Sequence, residues 1–106
     1  MFFELREYHC WPGKREEWVK MMEEEIIPYQ VAKGMVIAGS FIGEQDEDTY
    51  IWIRRFESEE ERERLYQAVY QNDYWQKEVS PRVGELIDRS KIKVTRLVAT
   101  PKSVLR

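Results

Sequence analysis

Along residues 2–10, large side chains recur on alternate positions, with Phe3, Leu5 and His9 on one face and Phe2, Glu4, Arg6 and Tyr8 on the other, which is the period of a β-strand. Both faces carry bulk. Pro12-Gly13 ends this strand, and Trp18, Met21, Met22, Ile26 and Tyr29 then fall three and four apart, predicting an amphipathic helix that Pro28 should end or kink. Lys33-Gly34 suits the exit of that helix. Met35 to Gly43 reads as a second strand and Thr49 to Phe56 as a third, joined into a hairpin by the polar stretch Glu44 to Asp48. Ser58 followed by Glu61 is a capping box that opens a helix on Leu65, Ala68, Val69 and Asn72, with Glu59 and Glu60 favouring its dipole. Asn72-Asp73 weakens it. Ser80-Pro81 reads as an N-cap with proline at the first helical position of a short helix that buries Val83, Leu86 and Ile87. A fourth strand is predicted over 91–99, where Ile92, Val94 and Val98 alternate with Lys91, Lys93 and Thr95, and residues 100–106 form a tail.

The order is βαββαβ, which predicts an α+β, ferredoxin-like domain with a four-stranded antiparallel sheet, and the 106 residues fit a single domain, 1–106. Helices cover one face of such a sheet, and the aliphatic face of Phe3, Leu5, Ile51, Ile53, Ile92 and Val94 is expected beneath them. The other face would then carry Phe2, Tyr8, Tyr50, Trp52, Phe56 and Leu97, too much apolar surface for water on a small monomer. Packing two sheets face to face solves this, so the expectation is a homodimer, a dimeric α+β barrel.

Composition narrows the partners. A formal net charge of −3 argues against nucleic acid, which needs a dense basic footprint, and the acidic runs and the basic last segment read as solvated surface. No apolar run is long enough for a membrane span and the start of the chain lacks a signal-peptide core, so a cytoplasmic location is expected. Cys10 and His9 are the only cysteine and histidine, and as strand neighbours they point to opposite faces. That leaves no disulfide, no metal-site spacing and a poor nucleophile–base pair, and no phosphate loop or nucleotide fingerprint calls for a cofactor.

The motifs Glu4-Leu5-Arg6-Glu7-Tyr8, Pro12-Gly13-Lys14 with Glu17-Trp18, Tyr50-Ile51-Trp52, Phe56, Arg62 and Tyr74-Trp75 stand in an order and spacing that resembles the NIPSNAP family, within the dimeric α+β barrel superfamily. The resemblance runs over nearly the whole chain. It implies a ferredoxin-like protomer and a dimer, and says little about chemistry. The chain lacks the N-terminal extension expected of a mitochondrial member, and has Phe56 where family members usually have tyrosine.

The constellation with most chemistry is Glu4, Arg6 and Tyr8 on one face of the first strand with Tyr50, Trp52 and Arg54 on one face of the third. These strands are central neighbours in a ferredoxin-like sheet, so the six form either a ligand site with an aromatic wall and guanidiniums that grip an acid, or an ion-pair network that fixes the dimer interface. Tyr66, Tyr70, Tyr74 and Trp75 cluster around the helical break, as a pocket mouth or as packing. The function expected is a non-catalytic dimeric module that binds a small apolar or acidic ligand, or a protein partner. The alternative, taken from relatives in the superfamily, is a cofactor-independent monooxygenase, isomerase or decarboxylase acting on an aromatic or polyketide-like acid. Haem chemistry fits less well, since His9 is the sole histidine.

Overall fold

The alternation at the start of the chain becomes strand β1 (Phe2–His9) in a computed structural model that describes all residues, 1–106. With β2 (Val36–Ile42), β3 (Thr49–Phe56) and β4 (Lys93–Leu97) it builds a four-stranded antiparallel sheet in the order β2-β3-β1-β4, as expected for a ferredoxin-like α+β fold. Glu4 lies opposite Arg54 and Arg6 opposite Trp52 across the central pair, while on the other side Arg6 faces Val94 of β4.

Which face the helices cover is the reverse of the expectation. Phe2, Tyr8, Tyr50, Trp52 and Phe56 lie buried beneath the helices, together with Glu4 and Arg54. Leu5, Ile51 and Ile53 are on the open face, with Phe41 and Leu97 more exposed still. The reason is area: aromatic side chains remove more apolar surface from water than aliphatic ones, provided their polar tips find partners. Arg6 and Ser40 of the sheet meet the Tyr8 and Tyr50 hydroxyls, and the helices bring the partners of the charged groups buried beside them, Glu4 and Arg54. In β4 it is Val94 and Arg96, level with Arg6 and Glu4, that turn to the helix side, so Val94 does not share a face with Leu5. The tail beyond β4 leans on the open face, where Val98, Ala99 and Leu105 surround Phe3.

The first crossover is α1 (Arg15–Met21), a π-helical turn (Met22–Ile26) and α2 (Ile27–Ala32) in unbroken succession, so Pro28 does not end the helix. A proline ring presses on the carbonyl four residues earlier, here Glu24, and the wider π turn gives that carbonyl room. Gly34 closes the helix at φ +109°, as Lys33-Gly34 foretold, with Met35 N–H returning 3.0 Å to Gln30 O.

Ser58 caps α3 (Glu59–Tyr70), accepting from Glu61 N–H at 3.0 Å. The next helix does not start at Ser80-Pro81. A π-helical turn (Tyr74–Val79) runs straight into α4 (Ser80–Leu86), and the starting signal is Asn72. Its Oδ1 accepts from Trp75 N–H at 3.1 Å while its Nδ2 donates to Ala68 O at 2.8 Å, so one side chain ends α3 and begins its successor. β4 is shorter than predicted because Asp88 caps a 3-10 turn (Arg89–Lys91) that uses up its approach. No helix is long and apolar enough to cross a membrane.

Candidate functional site

Glu4 and Arg54 meet at the centre of the covered face. Arg54 Nη2 donates to Glu4 Oε1 at 2.9 Å, and neither side chain has any exposed surface. Glu4 accepts twice more, from Arg62 Nε at 2.6 Å and from the Tyr66 hydroxyl at 2.7 Å. Arg54 Nη1 donates to Gln30 Oε1 at 2.9 Å and to the Tyr70 hydroxyl at 2.7 Å, and its guanidinium lies 4.7 Å from the Trp52 ring centre. Strands β1 and β3 thus supply the ion pair, α2 the amide, and α3 the second cation and two phenols. Burial alone would raise the Glu4 carboxyl; the Tyr66 hydroxyl, Arg54 and Arg62 outweigh it and hold the group below the usual carboxylate range. Burial also pushes the Tyr66 phenol up to about 12.

Beside this network lies a cavity of about 40 Å³. Its floor is Tyr8 and Trp52 from the sheet. Trp18, Met22, Ile26 and Gln30 of the first crossover form one wall, and Tyr70, Trp75 and Val83 of the second form another. The two π-helical turns supply Met22, Ile26 and Trp75, and such turns are frequent where a helix has been adapted to a site. The indole N–H groups of Trp18 and Trp52 are both buried and make no hydrogen bond. Tyr50 sits behind Trp18, edge to face at 6.1 Å, with its hydroxyl 2.6 Å from Ser40 Oγ, and burial raises its phenol to about 12.

His9 and Cys10 stand outside this region. The His9 ring lies between Asp48 Oδ2 at 3.1 Å and Glu7 Oε2 at 3.2 Å, whereas Cys10 is buried and burial lifts its thiol to about 11. No group of histidine, cysteine and carboxylate side chains is arranged to hold a metal ion.

The NIPSNAP family model matches residues 3–102. The chain belongs to the NIPSNAP family. A NIPSNAP family protein from Agrobacterium tumefaciens superposes with a TM-score of 0.86 at 26% identity, over 99% of this chain and 90% of that one. A second from the same organism, a NIPSNAP family protein of unknown function, gives 0.89 at 22% identity, over 100% and 94%. A dimeric ferredoxin-like protein from an uncultured marine organism gives 0.65 at 11% identity, over 98% and 99%. No curated protein matches the chain.

In this NIPSNAP chain all six residues singled out in the sequence lie on one face, but beneath the helices, so the Glu4–Arg54 ion pair does not fix a sheet-to-sheet interface. Tyr8 and Trp52 line the cavity, Arg6 stands at its margin, and Glu4, Arg54 and Tyr50 lie behind the lining. Sequence reasoning missed Gln30 and the partnership of Tyr66 with Glu4. For Gln30 a signal existed: it continues the apolar row Met22, Ile26 by one further step of four, and a lone amide on a core stripe demands a buried partner. Tyr70 and Trp75, from the aromatic cluster around the helical break, do line the cavity.

Proposed function

We propose that this protein is a homodimeric module that binds a small molecule between its sheet and its helices. The observation that carries the reading is the pair of buried, unpartnered indole N–H groups, Trp18 and Trp52, on residues that line a largely apolar cavity. A buried donor without an acceptor costs roughly 1–3 kcal/mol, and a ligand oxygen in the cavity would relieve it. Glu4, Arg54 and Tyr50 act from behind by holding Tyr66, Tyr70 and Trp18 in place, while Tyr8 and Trp52 touch the ligand.

Binding is favoured over catalysis by the state of the acid–base groups. Glu4 is held ionised by three donors, which makes it a weak base, and the Tyr50 and Tyr66 phenols near 12 and the Cys10 thiol near 11 sit far from the working range of a general acid or nucleophile. The dimer in this reading forms through the open face, where Leu5, Ile51, Ile53 and Phe41 leave an apolar surface, and the dimeric ferredoxin-like neighbour supports it. A cytoplasmic setting belongs to the same proposal, since a free buried thiol suits a reducing compartment.

Native mass spectrometry of freshly purified protein tests this. A dimer carrying a small-molecule adduct that is released on denaturation is the expected result. An empty dimer would shift weight to a protein partner, and a monomer would remove the role assigned to the open face.

A further inference from the structure

Around the buried network the guanidiniums outnumber the carboxylates. Glu4 takes Arg54 and Arg62, and Glu59 takes Arg62 and Arg96. Arg6 has no carboxylate. Its Nε donates 2.8 Å to the Tyr8 hydroxyl, its Nη1 reaches Tyr66 only at 3.4 Å, and its Nη2 has no partner within the protein. A guanidinium keeps its charge at any accessible pH, and holding one partly buried beside a second, with only phenols for company, is costly unless an anion arrives. Burial works against the charge of Arg6, and the neighbouring Tyr8 hydroxyl more than offsets it, so the group stays ionised and able to pair with an anion.

The same residue is reachable. Arg6 faces Val94 of β4, and although Val94 points to the helix side it is 44% exposed, because the helices stop short of that edge strand. Arg6 itself is only partly buried, so this edge leaves it open to solvent. Immediately beyond Arg6, its cross-strand neighbour Trp52 and its bonded partner Tyr8 are lining residues of the cavity. Entry, cation and apolar chamber follow one another in that order.

We propose that the ligand is a small organic acid whose carboxylate pairs with Arg6 while its apolar body lies against Trp52 and Trp75. This rests on the binding role proposed above and adds to it the chemical class of the ligand. An acid with a single ring exceeds the cavity of about 40 Å³, so the proposal requires the lining to give, and it assigns that movement to Trp75, half-buried on its π-helical turn.

Isothermal titration of the full-length protein with benzoate and with benzamide, an acid and its neutral isostere, is the test. Benzoate should bind at least about tenfold more tightly, the value expected of one charge-assisted hydrogen bond. Arg6→Gln should erase that preference, bringing the two affinities together, and Arg6→Lys should keep part of it. Equal affinity for acid and amide, or a preference that survives Arg6→Gln, overturns the acid assignment and leaves the cavity reading standing. Binding of neither probe overturns both. Because Arg6→Gln also removes a bond to Tyr8, wild-type protein provides a second readout: benzoate should move the NMR signals of Arg6 Nε and of the Trp18 and Trp52 indoles together, and movement confined to other residues overturns the proposal.

Discussion

Glu4 and Arg54 face each other across β1 and β3, 2.9 Å apart and without exposed surface, where side chains from α2 and α3 reach the sheet. Removing one partner of such a pair leaves an uncompensated buried charge, which typically costs about 3–5 kcal/mol. Glu4→Gln is therefore expected to destabilise the fold by that order, measured as the shift in a urea unfolding curve. A loss under about 1 kcal/mol would mean that the network is softer than its geometry indicates.

The same carboxylate fixes an acid limit. Its folded-state pKa lies below its ordinary value, so the unfolded chain binds the proton more readily. The stability this contributes is fully present above the unfolded value of about 4.3 and is lost as pH falls through the folded one. Stability measured from pH 7 to pH 2 should drop steeply in wild type, and the Glu4→Gln curve should be flatter over the acid limb.

Cys10 should be unreactive in the native protein. With its thiol raised to about 11 by burial, roughly one molecule in a thousand carries a thiolate at pH 8, and the sulfur is shielded besides. Alkylation by iodoacetamide at pH 8 is expected to be at least about a hundredfold slower in native protein than in denaturant. A native rate like that of an unfolded thiol would restore Cys10 as a candidate nucleophile.

The strands, their order and the six-residue constellation were legible because they rest on short-range patterns: alternation in β1 and β3 set which side chains share a face, and the βαββαβ order made those strands neighbours. The choice of covered face was not. It depends on which face finds partners for its polar atoms, and those partners, Gln30, Arg62, Tyr66 and Tyr70, come from helices far away in sequence. Helix continuity failed for a related reason. Pro28 and Ser80-Pro81 are breakers by local rules, but each follows or adjoins a π-helical turn, whose spacing no pattern of threes and fours reveals.

The open face gives a prediction about assembly. Phe41 is 54% exposed and lies beside Ile51 across β2 and β3. Phe41→Lys should leave the protomer's stability within about 0.5 kcal/mol, as for a surface change, yet place a charge inside the proposed dimer contact. Light scattering after gel filtration should show the mass fall from two chains to one. Retention of the dimer would move the interface elsewhere.

Trp52 separates a packing role from a binding one. The indole N–H is buried without an acceptor, while the ring fills the floor of the cavity and lies over the Arg54 guanidinium. Trp52→Ala should cost about 3–5 kcal/mol, the usual price of deleting a buried large aromatic. Trp52→Phe keeps an aromatic face for Arg54 and removes the unsatisfied donor, so the loss of volume is partly offset by the relief of roughly 1–3 kcal/mol. Its stability, by urea unfolding of ligand-free protein, should therefore stay within about 1 kcal/mol of wild type. Its affinity for any molecule that accepts from the indole should fall nonetheless, because that bond exists only in the complex. If Trp52→Phe instead lost stability comparable to Trp52→Ala in ligand-free protein, the indole would be satisfied in solution and the argument for a ligand oxygen at that point would fail.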